Sequence, residues 1–265
     1  MQRFIRGNAR SLRVARLAAT ALFVAAVPVF LIASNARWVI NAPLLYSYGF
    51  DKYNVTTRTG MERSELLSAA RQIRDYFNND EEYLNVRVVR RGIVYESLYN
   101  PPLYSADEGT GYSREVRHMK DVKWLVKGVY RVQEATGLYL ALFAIVGVAA
   151  WRRRFVPYLA RTVALSGAFT LGLVVLVGLG VLVGFDRLFL AFHQVSFSND
   201  FWQLDPRQHY LIVMFPQRFF LDGTLWIAGS TVVEAVLLTA VSLALRWWLR
   251  SRGALTSRPR LARAK

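Results

Sequence analysis

The side chains best suited to acid–base chemistry in this sequence are its three histidines, His118, His193 and His209. A neutral imidazole accepts or donates a proton near neutral pH, which makes histidine a common general base or acid. The sequence has no cysteine, and this excludes thiol nucleophiles, disulfides and thiolate metal sites. The common nucleotide-binding, serine-hydrolase and zinc-protease motifs are also absent. A catalytic site is therefore expected to centre on histidine.

Two of the histidines have neighbours that suit such a site. His118 lies on a predicted helix, with Asp121 one turn further on and Arg114 one turn before it. His193 stands near the start of residues 192–220, a segment that mixes Phe, Trp and Tyr with Asn, Asp and Arg. This mixture is typical of a surface partly among lipid headgroups. It fits either an aromatic membrane belt or the wall of a site for a lipid-bearing substrate.

The elements that would position these residues are four apolar runs. Each is long enough, or nearly so, to cross a hydrocarbon core of about 30 Å as a helix. The predicted spans are residues 17–36, 135–151, 162–185 and 219–245.

The charge distribution predicts how the spans are oriented. The chain carries 34 Lys and Arg against 18 Asp and Glu, a net charge of +16. Residues 1–16, 152–161 and 246–265 contain basic residues and no acidic ones, and together they account for this excess. Because each stretch flanks an apolar run, the pattern indicates membrane topology and excludes a nucleic-acid footprint. It predicts cytoplasmic termini and a cytoplasmic 152–161 loop, with residues 37–134 and 186–218 outside.

The first span could be either a cleaved signal peptide or an uncleaved membrane anchor. Ser34-Asn35-Ala36 has the small-x-small form of a cleavage site. The run is longer than a usual signal core, so an uncleaved anchor is expected.

Residues 37–134 are predicted to form a small extracytoplasmic α/β domain between spans 1 and 2. An amphipathic helix begins near Ser64 and stops at Asn78-Asn79-Asp80. Tyr83–Arg90 and Ile93–Tyr99 alternate in polarity around Arg91-Gly92, which indicates a hairpin ended by Asn100-Pro101-Pro102. From Ser113 no breaker occurs before span 2, so one long helix should run into the membrane. The predicted class is an α-helical integral membrane protein with four transmembrane helices and this α/β domain.

The short 152–161 loop makes spans 2 and 3 antiparallel neighbours. Their outer ends then lie side by side, which brings His118 and His193 towards each other. The segments that would meet in this way are Arg114-Glu115-x-x-His118-Met119-x-Asp121-Val122-Lys123 and Phe192-His193, followed by Asn199-Asp200-x-Trp202-x-x-Asp205-Pro206.

These segments, with Leu211-Ile212-x-x-Phe215-Pro216-x-x-Phe219-Phe220, resemble a bacterial family of four-span membrane proteins that includes the lipoprotein intramolecular transacylases. The resemblance covers most of residues 15–245. It implies that His118 and His193 match the family's paired histidines. It also implies an acyltransferase that moves the sn-2 acyl chain of a diacylglyceryl-cysteine to the α-amine of the same residue, giving a lyso-form lipoprotein.

Roles follow as expectations from this resemblance. His193 is the general base and His118 the partner acid or oxyanion donor, although the sequence allows the two roles to be exchanged. Asp121 is expected to orient His118, and Asn199 to donate to the oxyanion. The expected substrate-binding residues are Arg114, Lys123, Asp200 and Trp202. The expected partners are a diacylated lipoprotein and membrane phospholipid in the bacterial plasma membrane, with no cofactor and no metal.

Two other function classes remain open at this stage. One is a metal site built from all three histidines with Asp200 or Asp205. The other is a non-catalytic lipid-binding or transport protein, for which Glu234, inside span 4, is the supporting feature.

Overall fold

The computed structural model describes residues 2–90, 93–95 and 112–256. These residues form eight α-helices and one hairpin. The elements are α1 (Gln2–Asn41), α2 (Pro43–Lys52), α3 (Val55–Thr59), α4 (Arg63–Asn78), β1 (Val88–Arg90), β2 (Ile93–Tyr95), α5 (Arg114–Trp151), α6 (Val156–Ser196), α7 (Tyr210–Met214) and α8 (Gln217–Thr256). A 3₁₀ turn, Arg152–Arg154, joins α5 to α6.

Four of the helices contain stretches long and apolar enough to cross a bilayer. These stretches are Leu12–Asn41, Arg114–Arg154, Val156–Val181 and Gln217–Ser251. Many of their large apolar side chains face outward, which is expected where the surroundings are lipid and not water. The predicted four-span helical membrane protein is therefore confirmed.

The chain divides into two compact units. The first comprises Met1–Ile32, Val132–Leu176 and Gly229–Lys265. Inside it, Phe23 of α1 packs on Phe143 of α5, with ring centroids 4.6 Å apart. The Tyr139 hydroxyl donates a hydrogen bond to the Ala19 carbonyl at 2.6 Å. Aromatic packing and one interhelical hydrogen bond thus tie α1 to α5 in this unit.

The second unit comprises Ala33–Arg131 and Val177–Ala228, and it contains both His118 and His193. Its helix α4 begins with a capping box, in which the Glu65 carboxylate accepts from the backbone N–H of Glu62 at 2.6 Å. One apolar face of α4 is buried, including Leu66, Ile73 and Phe77. The helix starts and stops within one residue of the predicted limits.

The described hairpin is shorter than the alternating pattern predicted: β1 is Val88–Arg90, whereas residues 83–87 are not strand, and β2 is Ile93–Tyr95. Strands β1 and β2 are antiparallel, with Val89 opposite Val94. The predicted turn at Arg91-Gly92 and the predicted end at Asn100-Pro101-Pro102 lie outside the described residues, as do residues 257–265 of the basic C-terminal stretch.

A separate α/β domain between spans 1 and 2 is not supported. The described strands have three residues each, and the rest of the second unit's regular structure is helical. The core is not self-contained either, because α4 and β1 share one buried cluster with Met214, Phe215 and Phe219 from far along the chain. Local alternation revealed the strands but could not reveal which distant residues complete their core.

Two long helices carry the candidate site. Helix α5 is continuous over 38 residues, as predicted from the lack of a breaker after Ser113. Helix α6 has a non-helical residue, Gly184, with φ 161° and ψ 99°. Residues 185–196 continue as helix beyond that point because they contain neither Gly nor Pro. His193 therefore stands on a helix and not in a loop.

Candidate active site

The structure brings His118 of α5 and His193 of α6 together. Their ring centroids are 6.1 Å apart and their planes are inclined by 30°. Both residues are buried, with 7% and 9% of their surface exposed. Two imidazoles at this separation can act on one reacting group. The proximity predicted from the short 152–161 loop is therefore present in the structure.

The hydrogen bonds of the two imidazoles are different. His193 Nδ1 lies 2.8 Å from the Phe189 carbonyl oxygen, one turn earlier on α6. A carbonyl can only accept, so Nδ1 carries the hydrogen and the Nε2 lone pair of neutral His193 is available. His118 Nδ1 is buried and has no hydrogen-bond partner among the described residues. The sequence does not distinguish the two rings, but these contacts do.

Aromatic side chains surround the pair. Around His193 the ring centroids of Phe189, Phe192, Phe197 and Trp202 lie at 4.4, 5.4, 5.6 and 5.2 Å respectively. Phe197 also meets His118 edge to face at 5.1 Å. Such an apolar shell excludes water and strengthens electrostatic interactions inside the site.

The loop that supplies Phe197 and Trp202 is fastened to α5. Asn199 Nδ2 donates to Asp121 Oδ2 at 2.9 Å. Arg114 Nη2 donates to the Asp200 backbone oxygen at 2.6 Å and lies 3.1 Å from the Asp200 carboxylate. The Trp202 indole N–H donates to the Asn199 carbonyl at 2.9 Å. Five of the predicted site residues thus form one set of contacts beside the histidines.

Asp121 differs from its expected role. Its hydrogen bond is with Asn199, and no bond between Asp121 and His118 is found in the part of the chain that the structure describes. Asn199 is likewise engaged within the loop, since its Oδ1 accepts from the Phe201 backbone N–H at 3.1 Å. Both side chains hold the loop in place.

Lys123 belongs to different surroundings. Its ammonium donates to Asn79 Oδ1 at 2.8 Å and to the Glu81 carbonyl at 2.5 Å. It also lies 4.0 Å from the centre of the Tyr76 ring. These contacts join α5 to the residues that follow α4.

Glu115 was not predicted as a site residue, yet it is buried one turn before His118, with 2% of its surface exposed. Glu115 Oε1 accepts from the backbone N–H of Leu211 at 2.6 Å, which fixes the start of α7 to α5. Glu115 could have been predicted from its position in the Arg114-Glu115-x-x-His118 segment, because residues three apart lie on the same face of a helix.

The third histidine has its own local contacts. His209 Nδ1 accepts from the Asp205 backbone N–H at 2.9 Å. No three His, Asp or Glu side chains within the described ranges are grouped closely enough to hold a metal ion. Glu234 of the transport alternative is half-buried in the first unit. Glu234 thus lies in a different unit from the paired histidines.

The fold of this chain is shared with solved membrane proteins. Solved structures of the membrane-integral lipoprotein intramolecular transacylase Lit from Bacillus cereus align with TM-scores of 0.66 and 0.67. The first is 19% identical and covers 90% of this chain and 99% of that one. The second, in which one histidine is replaced by arginine, is 20% identical and covers 93% and 99%. At this identity the likeness establishes a shared fold.

An uncharacterized protein of Aquifex aeolicus is 27% identical over 141 residues, which are 53% of this chain and 60% of that relative. The aligned part therefore spans less than two thirds of the relative's length. The family model described as lipoprotein intramolecular transacylase Lit matches residues 21–220, a range that includes both paired histidines. This chain belongs to the lipoprotein intramolecular transacylase family.

Proposed function

We propose that this protein moves the sn-2 acyl chain of a diacylglyceryl-cysteine lipoprotein to the α-amine of the same cysteine. The main support for this proposal is the buried pair of imidazoles, His118 and His193, which lie 6.1 Å apart in a chain of this family. In the reaction an amide C–N bond forms and the ester C–O bond breaks. The product is a lyso-form lipoprotein, and one substrate supplies both the nucleophile and the acyl group.

His193 is the general base in this proposal. An α-amine has a pKa of about 8, so at neutral pH it must lose a proton before or during attack. The Phe189 carbonyl holds the hydrogen on His193 Nδ1, so Nε2 is the atom that accepts the proton. The backbone carbonyl thus fixes the tautomer, a function that a carboxylate has in many hydrolases.

His118 is the partner that acts on the ester. Because its Nδ1 is buried, Nε2 is the nitrogen assigned to the substrate. As an Nε2–H donor it stabilises the oxyanion of the tetrahedral intermediate. After the ammonium has lost its first proton to water, the amine gives a second proton to His193 Nε2 as the C–N bond forms. The His193 imidazolium then returns that proton to the departing glyceryl oxygen as the C–O bond breaks, so both imidazoles end the reaction neutral.

The site suits a lipid-bearing substrate. Phe192 contacts His193 and has 48% of its surface exposed, and Val195 on the same helical segment is 88% exposed. These side chains offer an apolar surface next to the imidazoles for acyl chains that arrive from the bilayer. Since amine and ester are parts of one molecule, orientation alone lowers much of the barrier.

The charge distribution supports an extracytoplasmic site in the bacterial plasma membrane. Arginines fill the 152–161 loop and both terminal stretches, whereas the histidine-bearing segments come from the other ends of spans 2 and 3. Diacylated lipoprotein is the proposed partner on that side, and phospholipid forms the surroundings.

The test is mass spectrometry of the lipidated N-terminal peptide of a reporter lipoprotein. The protein is co-expressed in a host whose lipoproteins are otherwise diacylated, alongside His118→Ala, His193→Ala and the matched control His209→Ala. We expect an acyl group on the α-amine and one remaining glyceryl ester with the natural protein and with the His209 variant. The other two variants should leave the peptide diacylated. An unchanged diacyl peptide with well-expressed natural protein would overturn the proposed reaction.

A further inference from the structure

Two polar side chains of α5, Arg114 and Asp121, bond to the loop of residues 197–202. Arg114 and Asp121 are seven residues apart, two helical turns, and so project from one face, with His118 between them. Asp121 bonds to Asn199 and Arg114 bonds to Asp200, so two consecutive loop residues are held by the face that carries the histidine.

A continuous set of contacts leads from Asp121 to His193. Asp121 Oδ2 accepts from Asn199 Nδ2 at 2.9 Å, and the Asn199 carbonyl accepts from the Trp202 indole N–H at 2.9 Å. The Trp202 ring centroid lies 5.2 Å from that of His193. Removal of the Asp121 carboxylate would therefore alter the surroundings of His193, because it would allow Trp202 to move.

We propose that Asp121 is a positioning residue for His193, acting through Asn199 and Trp202, and not the partner of His118. Its catalytic consequence rests on the proposed function. The contacts themselves do not. Trp202 closes one side of the aromatic shell, and the loop must stay on α5 for the indole to remain against the imidazole.

Arg114 is the weaker of the two attachments. Its side chain is 29% exposed and that of Asp200 is 65% exposed, so solvent screens the ion pair. Arg114 also donates to the Asp200 backbone oxygen. Loss of Arg114 should accordingly disturb the site less than loss of Asp121.

The first test is an exchange of the two bonded side chains. In the single variant Asp121→Ala the loop loses its attachment through Asn199, and we expect kcat to fall roughly 10- to 100-fold with a smaller change in KM. In the double variant Asp121→Asn with Asn199→Asp, the new amide donates to the new carboxylate. We expect this exchange to recover activity to within about threefold of the natural protein. Glu82→Ala removes a carboxylate that bonds to the opposite face of α5 and is the matched control.

The second test needs no activity. Histidine labelled with ¹³C at Cε1 gives one resonance for each of the three imidazoles, assigned by single substitutions. Because the field of the Trp202 ring acts on His193, we expect Asp121→Ala and Trp202→Leu to move the His193 resonance in the same direction. The exchange variant should restore the chemical shift of His193 to its value in the natural protein, and Glu82→Ala should not change that shift.

The outcomes separate this inference from the proposed reaction. A His118 resonance that moves with Asp121→Ala while that of His193 stays would overturn the inference and restore Asp121 as the partner of His118. An exchange variant that folds but does not recover the His193 resonance would also overturn it. If the resonances behave as expected and no acyl transfer is found in any variant, the inference holds and the proposed function fails.

Discussion

Two opposite faces of helix α5 contact different parts of the protein, and we expect them to have different functions. One face holds Arg114, His118 and Asp121 and meets the aromatic loop and His193. The other holds Lys120, Lys123 and Lys127 and meets Asp80, Glu81, Glu82 and Asn79. Each set has members three or four residues apart, so each forms one stripe along the helix.

The difference lies in burial and in the partners. On the first face both imidazoles are buried among rings, and one ring nitrogen of His118 has no protein partner in the part of the chain that is described. On the second face each ammonium has a partner at 3.1 Å or less. Paired charges hold a turn in place, whereas buried imidazoles that form no ion pair among the described residues are suited to acid–base chemistry. The predictions below test this separation between a reacting face and a supporting face.

The largest effect is expected at the histidines. His118→Ala and His193→Ala should each lower kcat by roughly 10²- to 10⁴-fold, the usual contribution of a general acid or base. Because the two act in one step, the double variant should lose little more than the worse single variant. Rates of acyl transfer to the reporter peptide would measure this. Fully additive losses in the double variant would show that the rings do not act together.

Next comes Lys123→Met, which keeps the aliphatic stem and removes the ammonium. The buried Lys123 side chain then loses its two hydrogen bonds, to Asn79 and the Glu81 carbonyl, which should cost about 1–3 kcal/mol of stability. We expect the thermal midpoint in detergent to fall by several degrees while kcat of the folded enzyme stays the same. A large loss of kcat with an unchanged midpoint would place Lys123 on the reacting face.

A smaller, pH-dependent effect is expected at Glu82. The Lys120 ammonium, hydrogen-bonded to this exposed carboxylate, holds the pKa of Glu82 below its usual range. A lowered pKa in the folded state means that the contact stabilises the protein above the unfolded pKa of about 4.3 and is lost as pH falls through the folded value. The natural protein should melt slightly above Glu82→Gln at pH 7, and the difference between their midpoints should shrink as the pH falls below the unfolded pKa of about 4.3. A difference that stays constant down to acid unfolding would exclude this cause.

The smallest effect is expected for Lys127→Ala. Its partner Asp80 has a fully exposed side chain, and exposed ion pairs contribute little because water and salt screen them. Midpoint and kcat should both match the natural protein within error. A clear change in either would mean that Lys127 has a further partner.

The sequence was sufficient to predict the number of spans, the continuous helix α5 and the limits of α4, because each depends on local properties. A bilayer demands about 20 apolar residues per helix, and breakers end helices where they stand. The proximity of His118 and His193 was also predictable, since a short loop makes neighbouring helices antiparallel. Family membership also depends on the sequence alone, since a family model matches residues 21–220.

The tertiary structure alone decided which partner each polar side chain has. Asp121 is one turn from His118 in sequence, yet it bonds to Asn199, 78 residues away. Lys123 is in the same segment as the histidine, but the helical turn directs it to Asn79 and Glu81. Helical spacing determines the face on which a side chain lies. Only the packing of distant segments determines which donor or acceptor is within about 3 Å of it, and hydrogen bonds form only at that distance.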